Sequence, residues 1–97
     1  MKSVEEIEEI LKSFKNDIKR NYKAEVVGIF GSFARGEQKS DSDVDILVKF
    51  YKDATLFDYM RLSMFLQEKL GIDVDIVPQD TIREELRERI VKEAIFI

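Results

Sequence analysis

Apolar positions recur along this chain with two periods, and the switches between them outline the elements. Val4, Ile7, Leu11, Phe14 and Ile18 fall on one face at helical spacing, which predicts a helix over 4–20. Ser3 and Glu6 fit a capping box at its start. Acidic residues fill its first half, Lys19 and Arg20 its last turn, and Asn21 marks the expected end. Glu25–Phe30 is a short β-rich run, read as a buried strand in which Gly28 marks close approach of another backbone. Gly31-Ser32 ends that strand. Phe33–Arg35 is expected to form a short helical turn stopped by Gly36, and 37–42 a polar loop.

From Asp43 to Phe50 the period is two. Asp43, Asp45, Leu47 and Lys49 share one face of this second strand, and Val44, Ile46, Val48 and Phe50 the other. A helix is predicted over 55–70, with Thr55 or Asp53 near its cap and Gly71 at C′. Leu56, Tyr59, Met60, Met64 and Phe65 give it a broad apolar face, assigned to the core. Ile72–Val77 is a third strand, with Asp73 and Asp75 on one face and Pro78 closing it. A last helix is predicted over 80–93, capped by Asp80 or Thr81, with Ile82, Leu86 and Ile90 at intervals of four. The apolar tail, Ala94–Ile97, either docks on the sheet or waits for a partner. The order αβ(turn)βαβα predicts an α/β (α+β) fold, a short mixed three-stranded sheet packed with helices, in a single domain over 1–97.

Composition narrows the chemistry. The chain has no cysteine and no histidine, which excludes disulfides, thiolate sites and imidazole acid–base catalysis. Any metal must be held by oxygen, which points to a hard divalent cation. A net charge of −4 argues against a broad nucleic-acid surface but leaves room for a nucleotide whose phosphates are neutralised by metal. No stretch approaches a membrane span, and the N-terminus has no signal-peptide core, so a cytoplasmic location is expected.

Asp43 and Asp45 sit one pleat apart on one face. Like charges so placed repel, and a divalent ion removes the conflict. An Asp-x-Asp pair can bind one metal in common or bridge two, the arrangement used in phosphoryl-type transfer. Gly31 lets backbone approach a ligand, and Ser32 offers an N–H and a hydroxyl suited to a phosphate tail, although no Walker A loop follows. Asp75 is a third acid that could bind metal and accept the proton of an attacking hydroxyl; Asp73 has the same facing. Each signal taken alone also fits an ordinary turn or a solvent-facing strand.

Together they are specific. Gly31-Ser32-Phe33-Ala34-Arg35-Gly36, followed after five residues by Ser42-Asp43-Val44-Asp45, resembles the signature of the minimal nucleotidyltransferases of the DNA polymerase β-like superfamily. The likeness extends to the later strand Val74-Asp75-Ile76-Val77. The resemblance implies that Gly31 and Ser32 hold nucleotide phosphates, and that Arg35 either contacts phosphate or caps the turn. It implies that Asp43 and Asp45 bind Mg²⁺, two ions being expected, and that Asp75 completes the triad as ligand or general base. It further implies transfer of AMP from ATP to an acceptor hydroxyl. Many such proteins act as antitoxins toward a HEPN-type toxin, where the acceptor is a tyrosine of that partner. Ninety-seven residues leave no room for an acceptor-gripping domain, so the acceptor site is expected to be completed in trans, in a homo- or hetero-oligomer. Two alternatives stand beside this: neutralisation by masking without catalysis, and transfer to a small molecule.

Overall fold

The computed structural model describes residues 2–97. Helix α1 spans Val4–Tyr22, strand β1 Ala24–Phe30, the short helix α2 Ser32–Arg35 and strand β2 Val44–Phe50. They are followed by α3 Leu56–Leu70, β3 Val74–Pro78, a 3₁₀ turn Gln79–Thr81, α4 Glu84–Glu93 and β4 Ile95–Phe96. The strands form one mixed sheet in the order β3-β2-β1-β4. β2 runs antiparallel to β1 and parallel to β3, and β1 runs antiparallel to β4.

The mixed α/β architecture is the expected one, but the sheet has four strands, not three. The tail is the fourth: Ile95 and Phe96 pair with Ile29 and Gly28. Gly28 makes this approach feasible, because a Cβ there would stand 2.6 Å from the carbonyl oxygen of Ile95. The Ile97 N–H donates to the carbonyl of Val27 at 2.9 Å and extends the pairing.

The core lies between the sheet and the layer of α1 and α3. Ile7, Leu11 and Ile18 of α1 and Leu62, Leu66 and Leu70 of α3 close over Val26 and Ile29 of β1 and over Val44, Ile46 and Val48 of β2. Val26 and Ile29 are three residues apart, a spacing that would send them to opposite faces of a regular strand. A register irregularity between Val26 and Gly28 returns both to the core side.

Local chemistry accounts for most ends. The Glu6 N–H donates to Ser3 Oγ, and the Ser3 N–H to Glu6 Oε1, both at 3.2 Å, which completes the capping box. Asn21 does not end α1. The helix continues to Tyr22, whose ring stacks at a tilt on Phe65 with centroids 5.2 Å apart, and Lys23 takes the left-handed turn at φ 52°. The Lys23 carbonyl accepts from the Tyr51 N–H at 2.9 Å, and its ammonium pairs with Asp53 at 3.5 Å. Thr55 and Asp58 cap α3, and Gly71 ends it at φ 69°.

Two further expectations are corrected. The last helix begins at Glu84, not at 80. The Thr81 hydroxyl donates to the carbonyl of Pro78 at 2.8 Å, so Asp80 and Thr81 lie in a tight 3₁₀ turn rather than capping a helix. The second correction concerns α3. Tyr59 and Phe65 do pack against the core, but Leu56, Met60 and Met64 are 73%, 53% and 69% exposed. The core row is Leu62, Leu66 and Leu70 instead. This helix is apolar on two sides, and helical periodicity cannot say which side meets the sheet.

Candidate active site

The face of the sheet turned away from α1 and α3 carries the charged residues of β2. Asp45 is the register partner of Asp75 on the parallel strand β3, so both side chains project to that face. Asp43 lies one residue ahead of β2 and is exposed. Asp73 lies one residue ahead of β3, where its carbonyl accepts from the Val44 N–H at 3.0 Å. The strand pairing therefore sets Asp75, and not Asp73, opposite Asp45.

Above Asp45 sits the Gly31-Ser32 turn. Phe30 is paired with Asp45, and Gly31 follows it directly. Gly31 has φ 75° and ψ −151°, a region that side chains rarely enter. A Cβ at Gly31 would also overlap Asp45 Oδ2. The turn is thus glycine for two reasons, its own torsion and the carboxylate beneath it. Ser32 opens α2, whose first turn has no side-chain cap. Gly36 closes α2 in a left-handed conformation, with its N–H donating to Phe33 at 3.3 Å.

Electrostatics single out Asp45. Burial, then the charges of Asp75 and Asp43, push its carboxyl up from 3.8 to about 6, while Arg35 pulls the other way. Arg35 Nε donates to Glu37 at 2.8 Å, and its guanidinium reaches Glu93 of α4 at 3.4 Å. Glu93 also pairs with Arg89 at 3.5 Å.

Among the described residues, no three acidic side chains lie close enough together to form a ready-made metal cage. The aspartates form an open cluster instead, with Asp45 and Asp75 across from each other and Asp43 at the rim. The donor set suits a hard divalent cation: it is all oxygen and mutually repulsive, and it holds one half-buried carboxyl that resists ionisation without a counter-charge.

Beside this cluster opens a cavity of about 390 Å³. It is lined by Phe30, Gly31, Ser32, Arg35 and Asp45, and by Leu86, Arg89, Ile90 and Glu93 of α4. Of the residues singled out in the sequence, four line this space, while Asp43 and Asp75 stand outside its lining. The α4 wall carried no chemical signal in the sequence. Leu86 and Ile90 were visible there only as a helical spacing, and nothing local says that this spacing faces a site.

Known proteins resemble this chain in sequence and fold. Residues 7–97 match the family described as Nucleotidyltransferase domain. Protein adenylyltransferase MntA of Thermococcus cleftensis is 35% identical over 97 residues, covering 100% of this chain and 98% of that protein. A solved structure described as a candidate minimal nucleotidyltransferase superposes with a TM-score of 0.81 at 37% identity, covering 97% of this chain and 95% of that one. A crystal structure of a toxin–antitoxin with AMP-PNP superposes at 0.66 with 25% identity, covering 84% of this chain and 67% of that one. The fold expected from the Gly-Ser and Asp-x-Asp signature is the fold found, and the chain belongs to the nucleotidyltransferase domain family, in its minimal form.

Proposed function

We propose that this nucleotidyltransferase moves AMP from ATP, with Mg²⁺, to a tyrosine hydroxyl of a HEPN-type toxin, and so acts as a cytoplasmic antitoxin. The observation that carries the reading is Asp45 held across from Asp75 under the Gly31 backbone, beside a cavity that the Gly31-Ser32 turn enters. The name of the MntA relative and the toxin–antitoxin structure with AMP-PNP support the protein acceptor and the adenine nucleotide.

Roles follow from position. The Gly31 and Ser32 backbone and the Ser32 hydroxyl receive the phosphate tail, and Arg35 contributes charge at its edge. Asp43, Asp45 and Asp75 would hold one or two Mg²⁺ ions. When bound, the ion neutralises the carboxylates and the charge that builds on the phosphates. Asp75 lies on the exposed side of the cluster, where it can accept the proton of the incoming hydroxyl. That oxygen bonds to the α-phosphorus, the bond from the α-phosphorus to the bridging oxygen breaks, and pyrophosphate leaves with the electron pair. The acceptor hydroxyl comes from the partner.

Incubation with labelled ATP and Mg²⁺, with and without the co-purified partner, tests this by mass spectrometry. The expected result is a gain of one AMP on a partner tyrosine, lost in Asp43→Asn/Asp45→Asn. Neutralisation that survives the double variant would replace catalysis with masking.

A further inference from the structure

α4 is an unusual helix for its place in the fold. It has no buried residue, although it lies over the site. Its inward face is Leu86, Arg89, Ile90 and Glu93, at i, i+3, i+4 and i+7, and all four line the cavity opposite Gly31 and Ser32. Leu86 remains 45% exposed there. Two aliphatic side chains one turn apart therefore face open space rather than core, in a lining that also includes Phe30. Part of the polar lining is already engaged. Arg35 and Arg89 both pair with Glu93, and Ser32 and Asp45 belong to the phosphate and cation side. Among the described residues that line the cavity there is no Asn, Gln, Thr or Tyr to read the edge of a base.

We propose that Leu86 and Ile90 of α4 form the nucleoside wall of the site, holding the base chiefly by apolar contact, so that the enzyme takes adenine and guanine nucleotides with little discrimination. This rests on the assignment of the Gly31-Ser32 turn to the phosphates. An apolar wall discriminates weakly, whereas a site built to hydrogen-bond a base edge rejects the wrong base by orders of magnitude. Selectivity for ATP in the cell would then follow nucleotide supply.

Equilibrium binding in Mg²⁺ of ATP, GTP and tripolyphosphate to the wild type, Leu86→Ala and Ser32→Ala tests the proposal. ATP and GTP are expected to bind within about threefold of each other. Leu86→Ala should weaken both nucleotides roughly 5- to 10-fold and leave tripolyphosphate unchanged. Leu86 is half exposed, so this variant should keep its fold, which circular dichroism checks; Leu86→Met should restore nucleotide affinity. A preference for ATP of a hundredfold or more overturns the proposal. So does a Leu86→Ala variant that leaves nucleotide affinity untouched, or that lowers tripolyphosphate affinity equally. Failure of the underlying phosphate assignment looks different: tripolyphosphate then fails to bind, or binds indifferently to Ser32→Ala, and the nucleoside wall falls with it.

Discussion

The two faces of β2 are built on opposite principles. Val44, Ile46 and Val48 are sealed beneath α1 and α3, with no more than a trace of exposure. One residue out of step, Asp45 and Lys49 face a side that α4 covers with no fully buried residue of its own. Leu47 alone is buried there. Fold stability therefore resides on the first face, through burial and close packing. The second face can hold mutually repelling carboxylates because the fold does not depend on it. Adjacent residues of one strand should consequently fail in different ways when changed.

Asp45→Asn gives the largest expected effect and the sharpest form of the contrast. Removing the charge should cut nucleotidyl transfer by at least about 10²–10³-fold, on the scale of losing a key electrostatic group at the reacting centre. The thermal midpoint should stay level or rise, since a repulsive partner of Asp75 has gone. Ile46→Ala, the next residue, should do the reverse. It should cost about 2–5 kcal/mol of stability, with activity of the folded fraction retained. Transfer assays and denaturant melts on the same preparations check both. A loss of stability at Asp45→Asn as large as that at Ile46→Ala would erase the distinction between the faces.

Gly28→Ala probes where the second face is anchored. Its Cβ would press on the Ile95 carbonyl at 2.6 Å, so β4 must shift or detach. Overpacking of this kind costs about 1–3 kcal/mol. Hydrogen exchange at the Ile97 N–H, bonded to Val27, should accelerate far more than exchange within α1.

A smaller effect separates the faces by pH. Asp45 has its carboxyl raised from 3.8 to about 6 in the fold, with burial the main cause. Below about pH 4 it is protonated folded and unfolded, and it has no effect on stability. As pH rises from there to about 6, the unfolded chain gives up the proton while the folded chain holds it, so stability falls, and the loss is complete above pH 6. In chelator-treated protein, the midpoint of Asp45→Asn minus that of wild type should widen over this window and level off above it. Mg²⁺ should narrow the gap. A gap that shrinks as pH rises would contradict the buried, like-charged setting of Asp45.

How much of this was legible in the chain follows the same division. The strand alternation of β2, the Gly31-Ser32 turn, the left-handed stops at Gly36 and Gly71, and the capping box of α1 are local features, and each has a local physical signature. The pairing of Asp45 with Asp75 rather than Asp73 is a matter of register between strands thirty residues apart. The sequence favoured Asp75 only through a family likeness. The fourth strand was foreshadowed by Gly28, but its partner could not be named from a glycine. The Leu86–Glu93 wall was not legible at all, because a helix that faces a cavity has the same spacing as one that faces a core.

α3 extends the comparison to a helix with two apolar sides, and it gives the smallest expected effect. Leu66 is 1% exposed and packs between the sheet and α1, whereas Met64, two residues earlier, is 69% exposed. Leu66→Ala should cost about 2–5 kcal/mol, through lost burial and the cavity left behind. Met64→Ser is the larger loss of hydropathy, yet it should stay within about 0.5 kcal/mol, because that position is exposed. Hydropathy ranks these two substitutions the wrong way round; position relative to the sheet decides between them. Urea melts of the two variants at low protein concentration give the comparison directly. A Met64→Ser loss above about 1 kcal/mol would mean that this side of α3 is packed after all. If the loss grew with protein concentration, the cover would come from another molecule.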